Sequence, residues 1–215
     1  MKKIVWIIAA IFALVVIAGC SSMPKVKDVS GTTEFLEHKG TRWGVEQPAW
    51  VNIVLATPNQ KTLSKELGID KHIWVLTSEG ENLDFLQNWV DQVDARAEIA
   101  ASLKQTIGDS VVASMQGKSG DDVNKVLDRM SARATMITLA GLNKETEWWT
   151  KTRYRLDKKS DYKVQYNYLV VYSLDEKLYQ KQINEAYEDF QDSEDLELSR
   201  IIVENLNELT EIRLN

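Results

Sequence analysis

The sequence predicts an α+β fold: a small antiparallel sheet packed by long helices, with a helical C-terminal extension. Three observations carry that expectation. Residues 148–156 and 163–172 alternate polar and apolar side chains with period two on either side of a short polar linker. Residues 82–140 repeat apolar side chains at helical spacing, and residues 176–215 do so again. A body with 44% apolar and 27% charged residues is ordinary globular material, which sets aside a disordered chain.

The chain opens with Lys2 and Lys3, followed by sixteen uncharged residues from Ile4 to Gly19. As a helix these would span about 24 Å, short of the ~30 Å hydrocarbon core of a bilayer. A positive start, a short apolar run and small residues at its end read as a secretory signal. That length and the Ala18-Gly19 ending count against a retained membrane span. Ile17-Ala18-Gly19-Cys20 then resembles the lipobox of bacterial lipoprotein signal peptides. The chemistry needs that order, because small residues fit a peptidase cleft and a thiolate accepts a diacylglyceryl group. Cys20 is the sole cysteine. The resemblance implies cleavage before Cys20 and a membrane anchor of more than one acyl chain, the number needed for stable attachment. Ser21 stands where an aspartate would favour inner-membrane retention, so an outer-membrane location is expected.

Cleavage would leave 196 of the 215 residues, enough for one domain with an appendage. The formal charge of −6 loses Lys2 and Lys3 and becomes −8. Such a balance argues against a nucleic-acid partner. The expected organisation is a signal peptide at 1–19, a lipidated tether at 20–33, an α+β domain at 34–175 and an acidic helical extension at 176–215. The tether reads as flexible because "SSMPKVKDVSGTT" is small, polar and broken by Pro24 and Gly31.

Along the body, Pro48 favours extended chain before Trp50, and the apolar run Val51–Ala56 is expected as a strand. "KHIWVLTSEG", between Asp70 and Gly80, is expected as another. Asn82 is a candidate N-cap for one long helix reaching Met115, with Gly108 bending it or ending it early. A second helix is expected from Asp121 to Ala140, with Gly141 at its C-terminal cap. Trp148, Thr150, Thr152, Tyr154 and Leu156 share one face of the next strand, and Trp149, Lys151, Arg153 and Arg155 share the other. Val164, Tyr166, Tyr168, Val170 and Tyr172 line one face of its hairpin partner. Tyr179, Ile183, Ala186, Tyr187 and Phe190 stripe the next helix. Leu198, Ile202, Leu209 and Ile212 stripe the last one, with Asn205 on the same line. Asparagine there either sets the register of a coiled coil or sits in a helix packed within the molecule. Residues 175–215 hold twelve acidic and four basic side chains, the whole negative balance of the mature chain.

"PAWV" at 48–51, "ARAEIAASL" at 95–103, "LAGLNKETEWW" at 139–149 and "LVVYSLDE" at 169–176 together resemble the twenty-kilodalton surface lipoprotein family of bacterial envelopes, over residues 47–185. The Gly-rich turn that such proteins carry before the helix is reduced here to Gly80. The resemblance implies helices on a small antiparallel sheet and no enzymatic activity. Flagellar-accessory lipoproteins have a similar layout, which leaves a surface-structure role open.

Candidate chemistry is sparse. "GKSG" at 117–120 holds the GKS of a phosphate loop, but Val112 stands where the motif needs glycine and a helix precedes it, so an interhelical turn is expected. The two histidines, His38 and His72, lie far apart in sequence. Asp91, Asp94 and Glu98 would share a helical face, a set of oxygen ligands for a hard cation or, more simply, a solvated acidic stripe. There is no G-x-S-x-G elbow and no spare cysteine nucleophile. Catalytic residues, cofactors and metal ligands are therefore not assigned. The candidate binding residues are Trp149, Lys151, Arg153 and Arg155, a cationic aromatic strip suited to a glycan, an acidic protein or a second copy of the chain. Either the acidic C-terminal helices cover it, or an external partner does. The sequence thus predicts a lipid-anchored, non-catalytic binding or structural module whose partner is an envelope protein, a cell-wall component or itself. The alternative is an accessory lipoprotein carrying a hydrophobic or glycan ligand between helices and sheet.

Overall fold

The computed structural model describes residues 33–155, 160–187 and 193–214, with the side chains of 193–195 excepted. The expected signal peptide, Cys20, all of the expected tether but Thr33, Leu156 with most of the hairpin linker, and Phe190 lie outside those residues.

The described chain is α+β in three layers. Five strands form one sheet in the order β1-β3-β4-β2-β5. β1 is Glu34–His38, β2 Lys71–Gly80, β3 Asn143–Tyr154, β4 Lys163–Asp175 and β5 Glu211–Leu214. The first four pair antiparallel, whereas β5 runs parallel to β2. Helices α1 (Ala49–Ala56) and α2 (Gln60–Leu67) cover one face. Helices α3 (Leu83–Gln92), α4 (Ala95–Ser114), α5 (Gly120–Ala134), α6 (Glu176–Tyr187) and α7 (Ser193–Glu208) cover the other.

The alternation along β2 divides the core. Ile73 and Val75 pack with Leu169, Val171, Trp50, Val51, Val54 and Leu63 on the α1–α2 side. Trp74 and Leu76 pack with α4, α6 and α7 on the other. α4 presents Ile99, Leu103, Ile107 and Val111, four residues apart and essentially inaccessible to water. Each such side chain contributes roughly 1.5–3 kcal/mol.

Several elements differ from expectation. Residues 49–56 form a helix, not a strand. Its buried positions Trp50, Val51 and Val54 are spaced one and three residues apart, while Leu55, which a strand would bury with Val51, is half exposed. The expected long helix is two helices. Asn82 caps the first by accepting from Phe85 N–H at 3.0 Å, but Val93 is extended and Asp94 starts the second by accepting from Arg96 and Ala97 N–H. Gly108 does not end α4, which continues to Ser114. α5 stops at Ala134, and Leu139 follows in a left-handed conformation (φ 53°), so Gly141 belongs to a later turn rather than a helix cap. Residues 211–214, expected as helix, form β5 with Ile212 buried.

The strand at 71–80 forms as expected, and so does the hairpin expected over 148–172, whose strands run longer, Asn143–Tyr154 and Lys163–Asp175. Tyr179, Ile183, Ala186 and Tyr187 on α6 are buried, as are Leu198, Ile202 and Leu206 on α7, in one core with Trp74. Asn205 is used within the molecule: its Nδ2 donates to Ser110 Oγ on α4 at 2.8 Å.

Candidate functional site

The register of the hairpin decides what the strip is made of. Trp149 lies opposite Tyr168, Lys151 opposite Tyr166 and Arg153 opposite Val164. Opposed residues of an antiparallel pair share a face, so the cationic stripe of β3 and the tyrosine stripe of β4 form one surface. The Lys151 ammonium lies 5.3 Å from the centre of the Tyr166 ring. Tyr162 serves two guanidinium groups, Arg153 at 4.5 Å and Arg155 at 5.0 Å. Trp149 meets Tyr166 edge-on, with centroids 5.9 Å apart. Each of the four candidate residues is thus held against a tyrosine.

What flanks the strip differs from what the charge balance suggests. The acidic helices α6 and α7 pack over β2 and the end of β4, not over β3. Cover comes instead from α3 and β1. Leu86 and Val90 of α3 pack with Tyr168 and Val170, and Trp149 and Tyr166 lie against that cluster. β1 supplies the counter-charges: Glu37 accepts from Lys151 at 2.7 Å and Glu34 from Arg153 at 2.5 Å. The bond to Glu37, helped by Tyr166, holds the Lys151 ammonium above its ordinary range.

Beside the strip runs a second charged chain. Glu147 accepts from Lys39 at 2.9 Å and Lys144 at 2.8 Å, and Lys144 reaches Asp91 at 3.5 Å. Burial opposes ionisation of Glu147, but hydrogen bonds from Lys144, Lys39 and Tyr168 overcome it and hold the carboxyl down to about 2. The Tyr168 hydroxyl moves up, first through burial and then through the Glu147 charge. Desolvation works against the Lys144 charge, yet the pull of Glu147 and Asp91 outweighs it and Lys144 also moves up. Each shift deepens the charge state already present at neutrality, the reverse of what a general acid or base requires.

No family model, curated protein or solved structure matches this chain.

The remaining candidates have local roles. In the 117–120 turn, Ser119 caps α5, accepting from Asp122 N–H and donating to the Asp122 carboxylate at 2.7 Å. Asp91 and Asp94 fall on either side of the break between α3 and α4, so they do not share one helix face with Glu98. No cluster of three metal-ligating side chains occurs among the described residues. His38 stacks between Phe35 and Trp148, at 5.8 and 5.5 Å, and its Nδ1 accepts from Gly40 N–H. His72 is buried against Tyr179 and Trp74, with its Nδ1 3.6 Å from Glu176. Among the described residues, no helix is long and apolar enough to cross a membrane.

Sequence reasoning missed Glu34, Glu37, Tyr162 and Glu147. The two β1 glutamates carry a weak signal. They are three apart, a spacing that puts both on one face only because a bulge falls between Phe35 and Glu37.

Proposed function

We propose that this chain is a lipid-anchored, non-catalytic bacterial cell-envelope protein, a binding or structural module held at the outer membrane through Cys20. The observation that carries the reading is Ile17-Ala18-Gly19-Cys20 behind a charged start and a short apolar run, with the chain's only thiol at the acceptor position. The lipid confines the domain to a surface and so raises its effective concentration for neighbours there. The strip of Lys151, Arg153 and Arg155 on Tyr162 and Tyr166 supports a partner that stacks on aromatic rings and offers acceptors to the cations. An envelope protein, a cell-wall glycan and a second copy each meet that description. The charge states around Glu147 support a role without proton transfer.

The alternative, a ligand carried between helices and sheet, has less support. Trp74, Leu76, Ile107, Ile183 and Ile202 fill that interface with 1% exposure or less. A groove of about 570 Å³ does exist, but it opens between α6 and α7, lined by Tyr187, Leu196 and Val203 among others.

Two experiments test the proposal. Wild-type chain should incorporate labelled palmitate in cells and Cys20→Ser should not; an unlabelled wild type removes the anchor. A photo-crosslinking residue at Arg155, and separately at Tyr162, should give a discrete adduct in intact cells. Correctly lipidated protein that yields none from either position removes the strip as a binding surface.

A further inference from the structure

The edge of the sheet nearest to Cys20 in the chain also carries a run of exposed apolar side chains. β1 is the outermost strand, and Phe35 and Leu36 stand exposed on it. The turn after β1 displays Trp43, 76% exposed, and Val45, 53% exposed. That turn is firmly built. The N–H groups of Trp43 and Val45 both donate to the Gly40 carbonyl at 3.0 Å, and Gly44 closes the turn in a left-handed conformation (φ 66°). A Cβ on Gly40 would fall 2.4 Å from the Val45 carbonyl oxygen, so only glycine fits there. The turn's fixed backbone holds the Trp43 ring out in water.

Charge separates along the same axis. Segments 34–46 and 147–155, at the β1 edge, hold five lysines and arginines against four glutamates. The described residues 175–187 and 193–214, which include α6, α7 and the opposite edge strand β5, hold nine acidic against four basic residues. The chain from Cys20 to β1 is short: the thirteen residues 21–33 reach at most about 45 Å when fully extended.

Resting on the lipid-anchor reading, we infer that the β1 edge docks on the phospholipid surface that holds Cys20. Trp43 and Phe35 enter the headgroup region, where aromatic rings are favoured, and Arg42, stacked on Trp43, meets the lipid phosphates. The acidic helices face away from the anionic surface. A second copy pairing edge to edge is the weaker occupant, because the bulge at Phe35–Glu37 interrupts the ladder such pairing needs.

The test uses full-length lipidated protein in phosphatidylethanolamine–phosphatidylglycerol vesicles. Acylation consumes the Cys20 thiol, so Trp43→Cys carries the single site for a fluorescent label. Phe35→Cys is a second reporter that keeps Trp43, and Val112→Cys on α4 is the reference. Lipids bearing a nitroxide near the headgroup should quench the labels at 43 and 35 several-fold more than the label at 112. Equal quenching at all three in protein that floats with the vesicles overturns the docking and leaves the anchor intact. Wild-type protein that fails to float overturns both. Cross-linking of position 43 to its counterpart in a second copy overturns the docking in favour of self-pairing.

Discussion

Gln60 of α2 acts as a missing strand residue for Ile73 of β2. The Ile73 N–H donates to Gln60 Oε1 at 3.0 Å, and Gln60 Nε2 donates back to the Ile73 carbonyl and to that of Leu209 at 3.1 Å. One side-chain amide therefore continues the ladder at the point where β5 has not yet begun. Gln60→Ala should cost about 2–4 kcal/mol, since Ile73 is wholly buried and its polar groups would have no substitute partner. Urea unfolding checks this through a lower midpoint at unchanged slope. Gln60→Glu should lose more, because it sets a carboxylate against two carbonyl oxygens. A Gln60→Ala midpoint equal to wild type would show that the amide adds nothing to the edge.

Gln182 of α6 holds the left-handed turn at Leu139. Its Oε1 accepts from Leu139 N–H at 3.0 Å and from Thr138 Oγ1 at 3.2 Å. A buried leucine with φ of 53° persists only where its surroundings require it. Gln182→Leu should cost about 1–3 kcal/mol, lowering Tm by roughly 3–9 °C for a chain of this size. Gln182→Glu keeps the acceptor but sets its second carboxylate oxygen against the Leu178 carbonyl, to which Gln182 Nε2 donates at 3.3 Å, so it should lose stability as well. A Gln182→Leu midpoint equal to wild type would show that the amide adds nothing to the turn.

Glu147 makes stability depend on acid. Its folded-state value of about 2 lies below the ordinary 4.5, so the stabilisation is present in full above pH ~4.5 and fades as pH falls toward 2. Its size is on the order of 2–3 kcal/mol. Glu147→Gln should remove that contribution at pH ~7 and flatten the fall between about 4.5 and 2. Urea midpoints of both proteins at neutral, mildly acidic and strongly acidic pH provide the check. Parallel curves would move the acid sensitivity to Glu145 and Glu176, whose carboxyls are also held low, by Lys71 and His72 respectively.

The Asn205–Ser110 bond joins α7 to α4. A double-mutant cycle of Asn205→Ala and Ser110→Ala should give a coupling of about 0.5–1.5 kcal/mol. Because the asparagine is used inside the molecule, Asn205→Leu should leave the oligomeric state unchanged in light scattering. A change of mass would return Asn205 to an interhelical register position.

The parts of this fold that are legible in the sequence are those where one periodicity acts alone. β3 and β4 alternate over nine or more residues and are flanked by turn residues, so strand and hairpin follow directly. α1 escapes such a reading because "VNIVLA" is a short apolar run whose β-branched content resembles a buried strand. Six residues do not separate the two periods. The α3–α4 break is hidden because apolar spacing carries through Val93 while a single Asp94 cap resets the helix. β5 is hidden because Ile212 also fits the helical stripe of α7, and a four-residue parallel strand leaves no pattern of its own.

For the strip, the sequence locates the four residues on β3 but not their neighbours. A tyrosine line and a cation line on different strands share a face only in one register, and no single strand records its register. The nature of the cover is equally hidden, because the net charge of a segment says nothing about where that segment packs. Glu34 and Glu37 pair with the strip through two specific bonds. The acidic segment that begins at Asp175 builds α6 and α7, which pack against the β2 side of the sheet instead.

The parallel pairing of β5 with β2 has a consequence for how the chain matures. Val75 and Glu211 are partners although 136 positions separate them. Until residues 211–214 have been made and brought home, the apolar strand β2 keeps one edge open over Val75–Ser78, with the Gln60 amide guarding only Ile73. Pairing across such a distance is slow, and an open hydrophobic edge invites association with other chains. A protein built this way gains from an escort while it is being made, and deleting 211–214 should turn a slow folder into an aggregating one.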